Sequence, residues 1–257
     1  SEKFDYLIVG AGSSGGAIAS RLTEDSHRRV LLLETGPYTP SSEIAIKAIR
    51  NPNQPAVVPG VNWKIQAAIK DSGTRRIQQG TIFNFEGGKV VGGSSAVNAT
   101  LTLRGAPIDY DEWGAECGKE WSWSSVLPYF RKLEDDPIGP ESLHGRGGPM
   151  PIRRERREDI RPLQAALLKA CLDHGFPYTE DHNDPATTGV GIFPKNVVDD
   201  VRMSTKITYL KQAEGRPNLR IISGAHANRV ILNGDSTCEG VEVEVDGQLR
   251  RLLADKV

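Results

Sequence analysis

Three features of the 257-residue sequence predict an α/β fold. It opens on an apolar run, a glycine-rich hexapeptide and a helical pattern, a second buried run follows, and it ends on strand-like segments joined by Asn-Gly and Asp-Gly. Residues 6–9 are apolar and stop at Gly10, and apolar residues then recur at helical spacing over 17–22. Residues 30–33 are all apolar and run into Glu34, so the opening reads as a βαβ unit with a parallel sheet. Residues 37–59 carry several prolines and no clean period, which predicts an excursion over the surface.

The segment FEGGKVVGGSSAVNATLTLRG, residues 85–105, packs small residues between β-branched ones and suits a backbone pressed against a ligand. Within 111–135, Ser122 or Ser124 stands in a capping position ahead of Val126, Leu127, Tyr129, Phe130 and Leu133, which predicts a surface helix with one apolar face. The punctuation HGRGGPMP at 144–151 precedes a charge run at 153–159, and this change of composition places a domain boundary near 151. Beyond it, 162–172 read as helix and 190–198 as strand. The last runs, separated by their Asn-Gly and Asp-Gly turns, read as an antiparallel meander.

Composition excludes several classes. A quarter of the residues are charged but the net charge is −1, so no basic field exists to gather nucleic acid. The chain is long enough to bury a core without a disulfide scaffold or an obligate metal. No apolar stretch approaches the roughly 20 residues of a membrane helix. The charged residues before the first apolar run, with no small-residue cleavage pattern after it, predict a buried strand rather than a signal peptide. Cys117, Cys171 and Cys238 are scattered and lack C-x-x-C spacing, which predicts a reduced, cytoplasmic setting and no redox-active disulfide.

Gly10-Ala11-Gly12-Ser13-Ser14-Gly15 fits G-x-G-x-x-G. Such a match is weak alone, but here it follows a predicted strand, opens a predicted helix, and is answered by Glu34 about 20 residues on. Gly10 makes the turn, Gly12 lets backbone approach a pyrophosphate, Gly15 lets helix meet sheet, and the helix N-terminus supplies positive character. An acidic Glu34 favours a ribose with a free 2′-hydroxyl, hence FAD or NAD rather than NADP, and the fingerprint leaves those two open. A glycine-rich turn that binds nothing is the plain alternative.

The second glycine-rich segment, GGKVVGGSSAVNATLTLRGAPIDYDEW, resembles the first sequence signature of the glucose-methanol-choline (GMC) oxidoreductases. Gly88, Lys89, Val91, Gly92, Gly93, Ser94, Ser95, Val97, Asn98, Gly105 and Asp111 hold signature positions, while Thr102 departs from the aromatic or alanine usual there. WSWSSVLPYF, HGRGGP, RMSTKITYL and RPNLRI extend the likeness over nearly the whole chain.

The resemblance implies an α/β fold, with a Rossmann-like FAD-binding domain and part of a second α+β substrate-binding domain. Residues 1–150 would form the first part of the FAD-binding domain, 151–199 the start of the substrate domain, and 200–257 a return to the first. It further implies FAD held by Gly10, Gly12, Ser13, Ser14, Gly15, Glu34 and Thr35, and by a loop containing Val91, Gly93 and Ser94. Asn98, Ala99, Thr100 and Leu101 would lie beside the flavin ring, and the Ala227 backbone beside the adenine. Some relatives attach FAD through a histidine just before the asparagine; Val97 stands there, so FAD is expected to be non-covalent.

The implied activity is FAD-dependent oxidation of a small alcohol to an aldehyde or ketone by hydride transfer to flavin N5, as an oxidase or dehydrogenase. A hydroxynitrile lyase of the same fold and a non-catalytic flavin-binding fragment are the alternatives. The family's catalytic base lies in the C-terminal half, so no catalytic residue is expected in this chain and a complementing C-terminal polypeptide is expected as partner. His27, His144, His174, His182 and His226 sit apart and read as structural. The run Asp181, His182, Asn183, Asp184 before Pro185 reads as a capped turn, not a metal site.

Overall fold

In the computed structural model, which describes residues 3–40, 42–53, 60–68 and 80–257, the order begins β1 (Phe4–Val9), α1 (Ser13–Leu22), β2 (Val30–Glu34), α2 (Glu43–Arg50), β3 (Ile65–Ala68), β4 (Ile82–Phe85). It continues α3 (Pro107–Cys117), α4 (Trp123–Leu133), β5 (Glu134–Asp135), β6 (Met150–Pro151), α5 (Pro162–Asp173), β7 (Val197–Val198), β8 (Val201–Arg202). It closes with β9 (Leu219–Ser223), β10 (Ala225–Leu232), β11 (Cys238–Val245) and β12 (Gln248–Lys256). Short helical turns occupy Gly93–Ala96, Lys119–Trp121 and Lys206–Leu210. Among the described residues no helix is long and apolar enough to cross a membrane.

The chain divides into two compact units, residues 1–99 with 204–257, and residues 100–203. These compact units break at 99/100 and 203/204, whereas the composition of the sequence changes near 151. The reason is packing: α3 contacts α4, and an ion network described below ties Arg104 to residues as distant as Asp181.

The first unit is built on a six-stranded sheet of order β10-β11-β12-β1-β2-β9. β1 runs parallel to β2 and to the end of β12, and β2 parallel to β9. β2 is buried throughout. Leu31 and Leu33 pack with Phe4, Leu7, Val241 and Val243, while Val30 and Leu32 pack with Ala11, Ala19, Val91 and Leu210. A strand covered on both faces must be apolar without alternation, and each fully buried leucine contributes about 2 kcal/mol.

The predicted meander is present as β10-β11-β12, closed by a two-residue turn at Asp246 and Gly247, both with positive φ. Its last strand then changes role. Gln248 to Leu253 pair antiparallel with β11, after which Ala254 and Lys256 pair parallel with Phe4 and Tyr6. β9 joins the parallel sheet rather than the meander.

The expected surface excursion at 37–59 contains a helix, α2, with Ser42 at its cap accepting from the Ala45 amide and Ala45 buried against Val61, Val90 and Ala96. Its prolines bracket the helix rather than interrupt it, which hid the short apolar period of Ile44, Ala45, Ala48 and Ile49. Residues 54–59, with Pro55 and Pro59, lie outside the described residues.

In the second unit, α3 and α4 meet through an aromatic cluster of Tyr110, Trp113, Trp123 and Phe130. Ser122 is the residue before α4, but its hydroxyl donates to the Lys119 carbonyl instead of capping the helix. The predicted helix at 162–172 is α5. The strand expected over 190–198 is not formed. Only Val197–Val198 pair as a strand, beside isolated bridges of Val190 with Tyr178 and of Lys195 with Arg153 and Leu101. Pro194 has no N–H to give a ladder; its carbonyl takes the Thr102 amide.

His144, in the HGRGGP turn, is fully buried among carboxylates: Nδ1 lies 3.0 Å from Glu134 and 3.2 Å from Asp136, and Nε2 lies 2.7 Å from Asp181. Arg104 pairs with Glu134, and Arg154 with Asp136 and Asp181. Glu134, Asp136 and His144 bring ligand-type atoms within 4.8 Å of one another, as a metal site would. The two guanidiniums and an imidazolium already balance the three carboxylates, so the cluster is complete as an ion network. The Asp181 to Asp184 run does form turns, with Asp181 accepting from the Asn183 amide and Asp184 from the Ala186 amide.

Candidate cofactor-binding site

β1 ends where its chain direction must reverse into α1. The Gly10 amide donates to the Leu33 carbonyl of β2, and Gly12 then stands as the N-cap of α1 with no side chain capping the helix. The first-turn amides of α1 have no acceptor inside the helix, and Ser13, Ser14 and Gly15 line a cavity of about 490 Å³. At Gly15 an added Cβ would lie 1.9 Å from the Gly10 carbonyl oxygen, so only glycine lets the helix approach the strand.

Two further segments complete the walls. The Gly92 amide donates to the Ala11 carbonyl, and Gly93, at φ +52°, passes so close to Gly12 that a Cβ there would lie 2.5 Å from the Gly12 Cα. Ser95 fixes this turn, its hydroxyl donating to the Gly92 carbonyl and accepting from the Thr205 amide 3.0 Å away. From the other side come Ala225, His226 and Ala227 of β10, and Trp63.

The cavity therefore gathers Gly10, Gly12, Ser13, Ser14, Gly15, Glu34, Thr35, Gly93, Ser94 and Ala227 from positions up to 217 residues apart in sequence (227 − 10). Val91 does not reach it; it is buried in the core behind the loop. Asn98 and Ala99 follow the Gly93–Ala96 turn outside the cavity wall, the Asn98 amide donating to the Ser94 carbonyl. Thr100 and Leu101 fall in the second unit. Thr100 is buried at φ +65°, rare for a β-branched residue, and Leu101 bridges Lys195. Val9, Leu33, Trp63, Gly88, Ala225 and His226 line the cavity without having been picked out as site residues. Val9, Leu33 and His226 each adjoin a predicted site residue in sequence, Ala225 lies two residues from Ala227, and Gly88 belongs to the glycine-rich signature, whereas Trp63 carries no such signal.

Chemically, the cavity lining combines backbone amides at a helix N-terminus, a buried carboxylate and two aromatic rings. Among the described residues no lysine or arginine lines it. Negative charge there is met by amides and the helix dipole alone. Glu34 uses Oε2 to accept from the Ala11 amide and Oε1 to accept from the Gly36 amide, leaving each oxygen a further lone pair. These features fit an adenine dinucleotide with a free 2′-hydroxyl.

Comparison with known proteins agrees with this geometry. The chain is 35% identical over 255 residues to an uncharacterized GMC-type oxidoreductase of Rhodococcus erythropolis, covering 98% of this chain and 49% of that protein. It is 34% identical over 254 residues to an oxygen-dependent choline dehydrogenase of Vibrio vulnificus, covering 98% of this chain and 44% of that protein. The crystal structure of pyridoxine 4-oxidase from Mesorbium loti superposes with a TM-score of 0.85 at 32% identity, over 98% of this chain and 48% of that one. The chain thus spans about half the length of the relatives it matches. The sequence model of the GMC oxidoreductase family matches residues 4–257, and the chain belongs to that family.

Proposed function

We propose that this chain is the FAD-binding part of an oxidoreductase that converts an alcohol to an aldehyde or ketone. The observation that carries the reading is the uncapped glycine N-terminus of α1 opening on the same cavity as Glu34 and the Gly88 to Ser94 segment. When bound, FAD supplies the hydride acceptor for the alcohol carbon.

The chain's own residues bind and orient. The amides of Ser13, Ser14 and Gly15 meet the pyrophosphate, and the absence of Cβ at Gly12 and Gly93 leaves room for it. The Glu34 carboxylate, already held by two amides, accepts from ribose hydroxyls. The Ala227 backbone would meet the adenine, and Asn98 and Ala99, which follow the Gly93–Ala96 turn, would hold the flavin end. Val97 is buried and apolar, offering no nucleophile, so the cofactor stays non-covalent. Residues of the active site that take the alcohol proton are assigned to the portion of the relatives that this chain does not span.

The experiment is an absorption spectrum of the protein containing this chain, taken before and after anaerobic addition of alcohols, including choline and pyridoxine. The expected result is a flavin spectrum bleached by one substrate class, with the flavin released intact into the supernatant on acid precipitation. A protein that takes up no flavin would overturn the reading.

A further inference from the structure

We propose that a recess between β9 and the β11–β12 hairpin binds a small carboxylic acid with an apolar tail, at a site separate from the cofactor cavity.

The recess measures about 370 Å³, within the roughly 300–1,000 Å³ usual for small-molecule sites. None of the residues that line it lines the cofactor cavity. Phe4, at the start of β1, belongs to the recess, whereas Val9, at the end of the same strand, belongs to the cavity. The step of five residues between them (9 − 4) spans about 16 Å of strand.

Two strands build the walls on one pattern. β9 supplies Arg220 and Ile222, and β12 supplies Arg250 and Leu252. Residues two apart on a strand share a face, so each wall sets a guanidinium beside an aliphatic side chain. Phe4 and Leu31, both buried, close the floor. Ile222 and Leu252 pack on the same core but stay only partly buried. Apolar surface thus ends at a charged rim, in the order of a tail and its head group.

The charges select the head. Arg220, Arg250 and Arg251 line the recess with one carboxylate, that of Asp246. Arg250 donates to the Gln248 side chain at 3.1 Å, and a guanidinium has five N–H donors in all. Glu242 stands across from Arg251 on β11, but its two carboxylate oxygens accept from Arg229 at 3.2 and 3.0 Å. A planar guanidinium matches a planar carboxylate through two parallel bonds. The Asp246 carboxylate opposes a doubly charged head such as a phosphate monoester, which favours a monoanion.

The test is calorimetric titration of the protein containing this chain, as purified, with decanoate. Saturable binding is expected, with affinity rising from hexanoate to decanoate by up to about 4-fold per methylene. Acetate, which lacks the tail, and decylamine, which reverses the charge of the head, should not bind. Arg250→Ala is expected to weaken decanoate about 2- to 10-fold, and its combination with Arg220→Ala about 10-fold or more, while Arg250→Lys recovers part of the loss. The variants should keep the parent melting temperature and absorption spectrum, since both side chains are exposed and outside the cofactor cavity. A parent without saturable binding overturns the proposal, because the arginine stems would then only cover apolar surface. Full affinity in the folded double variant, or affinity that does not change with tail length, overturns it as well. Decyl phosphate or hexaglutamate binding as tightly as decanoate overturns the assignment of a carboxylate with a tail.

Discussion

The Glu34 carboxylate accepts a hydrogen bond from the Ala11 amide 3.0 Å away, joining the end of β2 to the loop that leaves β1. Its other oxygen accepts from Gly36 at 2.8 Å. A residue that the sequence marks as a ligand for ribose is therefore also the brace of its own binding loop. Replacing it removes the acceptor for two buried donors, so Glu34→Ala should lower stability by about 2–4 kcal/mol. Glu34→Gln keeps one acceptor and should cost less. Urea denaturation of the two variants checks the order.

Gly12 and Gly15 separate binding from folding. A Cβ at Gly12 would lie 3.7 Å from the Gly93 Cα, an ordinary contact, and its φ of −82° suits any residue. Gly12→Ala should melt close to the parent temperature while binding flavin much more weakly. Gly15→Ala forces a Cβ into the Gly10 carbonyl and should destabilise the chain by about 3 kcal/mol or more. Melting curves and flavin titration on the same two samples show whether the two effects part.

Ser95 ties together segments 110 residues apart, accepting from the Thr205 amide and donating to the Gly92 carbonyl. Ser95→Ala leaves both buried groups without that partner and should cost about 1–3 kcal/mol. Because the Gly93 turn is what it holds, flavin affinity should fall with it, whereas Ser95→Thr should recover part of the loss. Affinity unchanged in Ser95→Ala would show that the turn is held without it.

The stability of the second unit should depend on pH through His144. Burial pulls its pKa down, but the carboxylates of Asp136, Asp181 and Glu134 outweigh burial and raise it from 6.5 to about 10. The folded state thus binds this proton more tightly than the unfolded chain. Its contribution is complete below pH 6.5 and is lost as pH rises through about 10. Asp136 and Asp181 have the opposite sign. Burial would raise them, but His144, together with Arg154, holds both below the usual carboxylate range, so their contribution disappears as pH falls through that range. The melting temperature should decline from pH 7 to pH 10, and His144→Gln should be less stable at pH 7 with a flatter alkaline decline. A slope unaltered by the substitution would remove His144 as its source.

Much of the first unit was legible in the residues alone. The apolar runs at 6–9 and 30–33, the GAGSSG loop and Glu34 determined the βαβ opening, because a buried parallel strand, a tight turn and a helix N-terminus each demand particular residue types over short spans. The second glycine-rich segment suits a backbone pressed against a ligand, and in the fold its Gly93 lines the cavity beside Gly12. Asp246 and Gly247 declared their hairpin for the same reason: the turn needs positive φ, and few residues accept it.

Tertiary structure decided what depends on contacts between distant residues. Nothing local in Glu34 shows that Ala11 and Gly36 hold it, and nothing in Val91 distinguishes a residue facing the cavity from one facing the core. His144 looked like a loop histidine because Glu134, Asp136 and Asp181 reach it only after folding. β12 could be read as a hairpin strand but not as the strand that also pairs with β1, since its second pairing partner lies at the opposite end of the chain. The break between compact units at 99/100 has no mark in the composition either, because it is set by which long-range contacts form.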